Sequence, residues 1–305
     1  MGNLKSESNE GKPYRESLDY LYSLQKFGMI FGLEKVEGIL KAIGDPHEAL
    51  STIQVGGPNG KGSTAAMMAS ILEKEGYRVG LYTSPHLVRF TERIKVNGKE
   101  IAEEEVASLT DWMRGRIEAA GVSPPFTFFD FTTAMALSYF NQKVVDLAIL
   151  EVGLGGRLDS TNVVTPLVSI VTNISRDHED VLGRGILRIA REKAGIIKEG
   201  RPFITAATQP RVLRLFSERC RGLGAPFYRV GKEFQYRTAG PERFDYEGRH
   251  WKLWNIELGL RGSYQMENAA TALGAIEVLE ELGYRISVEA IMEGLRTVRW
   301  PARFE

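Results

Sequence analysis

Apolar residues recur along this chain in two textures. Thr52–Gly57, Arg78–Ser84, Val144–Val152, Leu167–Ile174 and Pro202–Ala206 are short apolar runs rich in β-branched residues, the pattern of strands buried on both faces. Ala65–Lys74, Glu103–Ala120, Thr132–Asn141 and Ile186–Ile197 lie between them and carry helical patterns. Strands alternating with helices predict an α/β fold, a P-loop-type, mostly parallel sheet flanked by helices on both faces. From Phe227 to Leu260 the texture changes. Phe227-Tyr-Arg-Val, Phe234-Gln-Tyr-Arg and His250-Trp-Lys-Leu-Trp alternate bulky and polar residues between Gly and Pro turns, which predicts a small antiparallel β subregion beside the main sheet. Helices return at about Gln265–Leu282 and Val288–Arg296.

Ligands of such sheets bind outside the carboxyl ends of the strands, and the chemically informative residues cluster there. Thr52-Ile-Gln-Val-Gly-Gly-Pro-Asn-Gly-Lys-Gly-Ser-Thr runs from an apolar strand through a glycine-rich turn into a helix starting near Ser63. Backbone N–H groups in such a turn approach phosphate oxygens closely, and the helix N-terminus adds positive potential. Lys61 supplies a point charge for terminal phosphates, and a hydroxyl at Ser63 or Thr64 reaches a magnesium ion. The general P-loop pattern is matched imperfectly, since its first glycine falls at Val55 and Lys61 is followed by Gly62.

Further strand ends add candidates, each with a plainer alternative. Ser84 in Thr83-Ser-Pro-His-Leu is a ligand or part of an ordinary turn. Glu151 closes an apolar strand before a glycine-rich loop; a carboxylate there holds a metal or sits in an ion pair. His178 is a ligand, a base or a polar loop residue, and Lys193 lies on a helix where a solvated charge is equally natural.

Composition narrows the class. The 305 residues are 43% apolar, enough for a large core, and 39 basic residues balance 39 acidic ones, which argues against a nucleic-acid partner read through a broad basic surface. Cys220 is the single cysteine, so no internal disulfide forms. No apolar run approaches the roughly 18 residues of a membrane span. Met1–Lys12 is polar and reads as a flexible tail. The expectation is a soluble, cytoplasmic protein with no membrane partner.

Taken together, Gly-Pro-Asn-Gly-Lys-Gly-Ser-Thr, Thr-Ser-Pro-His-Leu, Leu-Glu-Val-Gly-Leu-Gly-Gly-Arg-Leu-Asp, Asp-His-Glu-Asp-Val-Leu-Gly and Arg-Glu-Lys-Ala-Gly-Ile-Ile-Lys, in this order, resemble folylpolyglutamate synthase and dihydrofolate synthase of the Mur ligase superfamily. The resemblance runs from Phe31 to Arg303. It implies an ATP-dependent ligase that adds glutamate to a folate-type carboxylate through an acyl phosphate. Its substrates are then dihydropteroate or a reduced folate, with glutamate, and the full-length enzyme is expected as a monomer. The alternatives are a nucleotide-binding module without turnover, or another P-loop small-molecule phosphotransferase.

The same resemblance assigns Asn59, Gly60, Lys61, Gly62, Ser63 and Thr64 to ATP phosphates, Asn268 to the nucleotide, and Arg303 to the phosphates from a hinge. It assigns Ser84, Glu151 and His178 to Mg2+, and catalytic roles to Lys61, His178 and Lys193, the last as a carbamate. Met29, Ile30, Phe31, Thr127, Phe128, Phe129, Asp130, Leu158, Asp159 and Ser160 match the pterin site. Pro58, Asp130, Tyr264 and Pro301-Ala-Arg303 depart from the family pattern. The expected organisation is a tail over 1–12, an ATP-binding domain over 13–300, and at 301–305 the start of a hinge to a C-terminal domain outside this chain.

Overall fold

The computed structural model describes residues 12–28, 30, 32–175 and 185–300. Two helices, α1 (Lys12–Ser23) and α2 (Glu34–Ala42), precede β1 (Thr52–Gly56), which runs into α3 (Lys61–Glu75) and β2 (Val79–Tyr82). A hairpin follows, β3 (Ile94–Val96) and β4 (Lys99–Glu100), then α4 (Glu103–Ala119), α5 (Phe128–Gln142), β5 (Leu147–Glu151) and β6 (Val168–Val171). Next come α6 (Ile186–Lys193), β7 (Phe203–Thr205), α7 (Pro210–Gly222) and β8 (Phe227–Arg229). β9 (Gln235–Gly240), β10 (Arg243–Glu247) and β11 (Lys252–Glu257) form a separate antiparallel sheet, followed by α8 (Tyr264–Glu281) and α9 (Val288–Thr297).

The main sheet has the order β4-β3-β2-β5-β1-β6-β7-β8. Its pairs from β2 to β8 are parallel, and of its strands only β3 runs against them, pairing antiparallel with β2 on one side and β4 on the other. The β1-to-β2 connection leaves toward one edge of the sheet and the β5-to-β6 connection toward the other. A crevice opens at such a reversal, at the carboxyl ends of the strands. Register places Val55 beside Glu151 and Gly56 beside Val171, so the three central strands end at one level.

Alternation along the strands feeds two cores. Ile53, Val55, Leu147, Ile149, Val168 and Ile170 face α3, α8, α9 and the antiparallel sheet, while Tyr82, Ala148 and Leu150 face α2, α4 and α5. Helix α3 is therefore buried nearly all round, which explains its small residues Gly62, Ser63, Ala65 and Ala66: bulkier side chains would not fit between sheet and helices.

Several predicted elements shift. Phe227–Arg229 pairs in parallel with β7 as the edge of the main sheet, not as part of the antiparallel one. β10 supplies the third antiparallel strand, with Phe244 and Tyr246 on its buried face. Helix α1 begins at Lys12, the last residue of the segment read as a tail. The β3–β4 hairpin, which the sequence reading did not include, turns at Asn97-Gly98, whose positive φ values of 47° and 69° suit a tight hairpin turn. Among the described residues no helix is long and apolar enough to cross a membrane.

Candidate functional site

The phosphate loop joins β1 to α3. Gly57 (φ 134°) and Gly60 (φ 80°) adopt backbone angles that side chains rarely take, and space forbids one in any case. A Cβ on Gly57 would lie 2.0 Å from Thr172 Oγ1, and one on Gly60 would lie 2.1 Å from Asn268 Oδ1. Thr172 Oγ1 donates to Asn59 O at 2.6 Å, tying the loop to the end of β6. Lys61 Nζ lies across the loop and donates to Gly57 O at 2.9 Å and Pro58 O at 3.4 Å. Helix α3 opens at Gly60 with no side-chain cap, which leaves its first N–H groups to an outside acceptor. The cradle fits a polyphosphate. Ser63 and Thr64, the candidate hydroxyls, are both enclosed, and Thr64 Oγ1 makes no hydrogen bond.

Beside this loop, Glu151 at the end of β5 is 6% exposed, and its Oε2 accepts the backbone N–H of Ser84 at 3.0 Å. The two residues face a cavity of about 380 Å³ whose walls include Gly62, His86, Lys95 and Trp300. A carboxylate and a hydroxyl beside a phosphate loop are hard oxygen donors suited to magnesium. The third ligand expected from the sequence, His178, lies outside the described residues, as do Met29, Phe31 and Arg303. Among the described residues no group of three acidic, histidine or cysteine side chains converges.

A second cavity, of about 400 Å³, shares the Ser84–Pro85 wall with the first. Seven of the residues assigned to the pterin site line it: Ile30, Thr127, Phe128, Phe129, Leu158, Asp159 and Ser160. Asp130 lies behind the wall. It accepts from Thr127 N at 2.7 Å, Thr127 Oγ1 at 2.8 Å and Ser160 Oγ at 2.6 Å, while Thr127 Oγ1 accepts from Asp130 N at 3.0 Å. This reciprocal cap fixes the start of α5 and so the placement of Phe128 and Phe129. Asp159 is likewise spent on structure: its oxygens accept from Leu154 N, Thr161 N and Thr161 Oγ1 at 2.8, 3.0 and 2.5 Å. Burial pushes its carboxyl above the usual range, against the pull of those donors.

Lys193 is 3% exposed at the end of α6, which overturns the alternative of a solvated helix charge. A Cβ on Gly156 would meet Glu192 O at 2.8 Å and Lys193 Cα at 3.1 Å, so the glycine loop after β5 packs tightly on the helix end carrying this lysine. Asn268 is 5% exposed on α8, beside Gly60, and its Nδ2 donates to Gln265 Oε1 at 2.8 Å.

Sequence reasoning missed Arg93, Thr172 and Trp300. Arg93 is 7% exposed and lines the aromatic cavity with its guanidinium 5.1 Å over the Phe128 ring. Its Nε donates to His86 Nδ1 at 2.7 Å. Burial and the Arg93 charge hold the His86 ring below its usual pKa, consistent with a neutral acceptor. Arg93 had no local signal beyond its place before the Ile-Lys-Val strand.

A family model, the Mur ligase middle domain, matches residues 55–276. Among curated proteins, a Bacillus subtilis dihydrofolate synthase/folylpolyglutamate synthase is 38% identical over 96% of this chain and 70% of its own length. The crystal structure of a Thermotoga maritima folylpolyglutamate synthase superposes with a TM-score of 0.87 at 40% identity, covering 97% of this chain and 68% of that one. A folylpolyglutamate synthase complex with AMPPCP and folate gives 0.89 at 35% identity, covering 95% of this chain and 73% of that one.

Proposed function

The chain belongs to the folylpolyglutamate synthase/dihydrofolate synthase family of Mur ligases, which are ATP-dependent amide ligases, and on that premise we propose how its residues divide the work. The carrying observation is the pair of cavities separated by Ser84–Pro85, one at the phosphate loop and one walled by Phe128 and Phe129. The aromatic cavity takes the pterin ring of dihydropteroate or a reduced folate, and the acid's carboxylate points across the shared wall toward the ATP γ-phosphate.

A carboxylate is a poor acyl donor because oxide is a poor leaving group. One of its oxygens therefore takes the γ-phosphoryl group, ADP departs, and the glutamate amine nitrogen attacks the acyl carbon as phosphate leaves. Such a transfer depends on positioning and on neutralising charge. Asn59, Gly60 and Gly62 offer backbone N–H groups to the phosphates, and Lys61 swings from its own loop carbonyls to the terminal phosphates. Ser84, Glu151 and His178 would hold magnesium, which when bound would offset the phosphate charge. Lys193, as a carbamate, supplies a further anionic oxygen donor. Asn268 sits where it steadies both the loop and the nucleotide, and a cytoplasmic setting fits the use of ATP.

Calorimetric titration with AMPPCP and with pteroate, separately and together, tests this division. Two independent sites are expected, each saturating in the presence of the other. Nucleotide heat without pteroate heat would return the chain to a nucleotide-binding module, and mutual displacement would put both ligands in one cavity. Repeating the titration with dihydropteroate and tetrahydrofolate sets the substrate preference.

A further inference from the structure

Arg93 is a buried cation with no anion partner among the described residues. Its Nε–H is taken by His86, and among the described residues its two outer nitrogens, Nη1 and Nη2, have no hydrogen-bond acceptor and no ion-pair partner. Among the described residues, the carboxylates near it in sequence and in the walls of the aromatic cavity have other partners. Glu92 accepts the backbone N–H groups of Leu87, Val88 and Arg89. Glu100 accepts from Arg89 and Thr91. Asp159 and Asp130 are held by Thr161, Leu154, Thr127 and Ser160. Enclosed on most sides but open at its outer nitrogens, the guanidinium presents to the cavity a forked edge that matches a carboxylate. The side chain lines the aromatic cavity, while His86 lines the phosphate-side cavity across the same wall.

We propose that Arg93 receives the carboxylate of an aromatic acid bound between Phe128 and Phe129, and that His86 is the positioning residue that turns its outer nitrogens toward that carboxylate. The inference rests on the reading of the aromatic cavity as the pterin-acid site, and it adds the group that selects an acid over a neutral analogue. Nε donation to His86 Nδ1 fixes the plane of the guanidinium, and the Phe128 face supports it from one side. Held in that way, the arginine admits the acid with its carboxylate turned to the seam between the cavities. A ligand lacking the negative charge would leave the cation unpaired.

The test compares pteroate with its primary carboxamide on the full chain. Wild type should prefer the acid by a factor of about ten to a hundred, the range of a charge-assisted hydrogen-bonded pair. Arg93→Gln should lose the preference while still binding the carboxamide, and Arg93→Lys, which keeps the charge but not the fork, should retain part of it. His86→Leu should weaken the preference, and His86→Gln, whose amide oxygen accepts from Nε, should restore it. Thermal melts confirm that each variant is folded. A preference undiminished in Arg93→Gln overturns the proposal, and so does an equal loss of acid and carboxamide, which would make Arg93 a brace for Phe128. Saturation-transfer NMR with 4-aminobenzoate and 4-aminobenzamide separates the two readings. An Arg93-dependent preference for the benzoate without pteroate binding would sink the pterin site and leave this assignment standing. Wild type with no preference for either acid would sink the assignment itself.

Discussion

The two cavities that meet at Ser84–Pro85 use polar groups in opposite ways. On the aromatic side the carboxylates brace the wall: Asp130 accepts from its helix cap and from Ser160, and Asp159 from its own loop, while Phe128, Phe129, Gln25 and Arg93 are among the residues that face the cavity. On the phosphate side recognition falls to the backbone. Gly57 and Gly60 bring the chain against Thr172 and Asn268, and the charge, Lys61, rests on its own loop carbonyls. A flat, mostly apolar ring needs a rigid slot, and rigidity comes from satisfied buried polar groups. A polyphosphate carries its own charge and is met by dipoles that need no side chain.

The largest expected effect breaks one side alone. Lys61→Ala should weaken AMPPCP binding by about a hundredfold, as expected for losing a charge-assisted contact to phosphate, and should leave pteroate binding unchanged by calorimetry. Loss of both affinities together would show that the two cavities are one coupled site.

Asp130→Ala strikes the other side. It removes the acceptor for Thr127 N, Thr127 Oγ1 and Ser160 Oγ and should lower stability by about 2 kcal/mol in urea unfolding. Pteroate affinity should fall with the displaced Phe128 and Phe129, while AMPPCP affinity holds. Asp130→Asn, which still offers one oxygen, should cost less than the alanine. Intact pteroate binding in the alanine variant would mean the aromatic slot does not depend on the cap.

The smallest effect is a control at the far end of α3. Burial raises the Glu73 carboxyl from 4.5 to about 7, against a Gly98 backbone hydrogen bond and the charges of Lys74 and Lys95. A folded pKa above the unfolded one means the stabilising contribution is whole below pH 4.5 and is lost as pH rises through about 7. Glu73→Gln should therefore match wild type at pH 4 and exceed it at pH 8 by about 1 kcal/mol, a figure already discounted for partial exposure. Neither ligand's affinity should change. A gain at acid pH instead would mean that burial does not raise the Glu73 carboxyl.

The readable parts of the molecule share a cause. Central parallel strands are buried on both faces, so β1, β2, β5, β6 and β7 stand out as apolar runs, and the glycines and lysine of the phosphate loop are contiguous in sequence. Where elements are exposed on one side, the reading weakened. β10 carries its signal only in Phe244 and Tyr246, and β8 looked like its antiparallel neighbours because all its residues are half-buried. Asn97-Gly98 marked a hairpin that the alternation on either side was too short to announce.

By itself, the sequence determined an α/β sheet with strand ends bearing Lys61, Ser84 and Glu151, and family membership through motifs spread over nearly its full length. These are properties of local composition and order. The tertiary structure alone decided which polar groups are spent and which remain for a ligand. Asp130 and Asp159 stand in the sequence only as matches to the pterin-site pattern, and it is packing that brings donors from Thr127, Ser160, Leu154 and Thr161 onto them. Arg93 looks like one more strand-edge charge, yet the fold buries it over the Phe128 ring in the wall of the aromatic cavity, with no carboxylate paired to it among the described residues. Whether a charge is available depends on the partners packing brings within about 3 Å of it, and no local pattern of residues encodes that set.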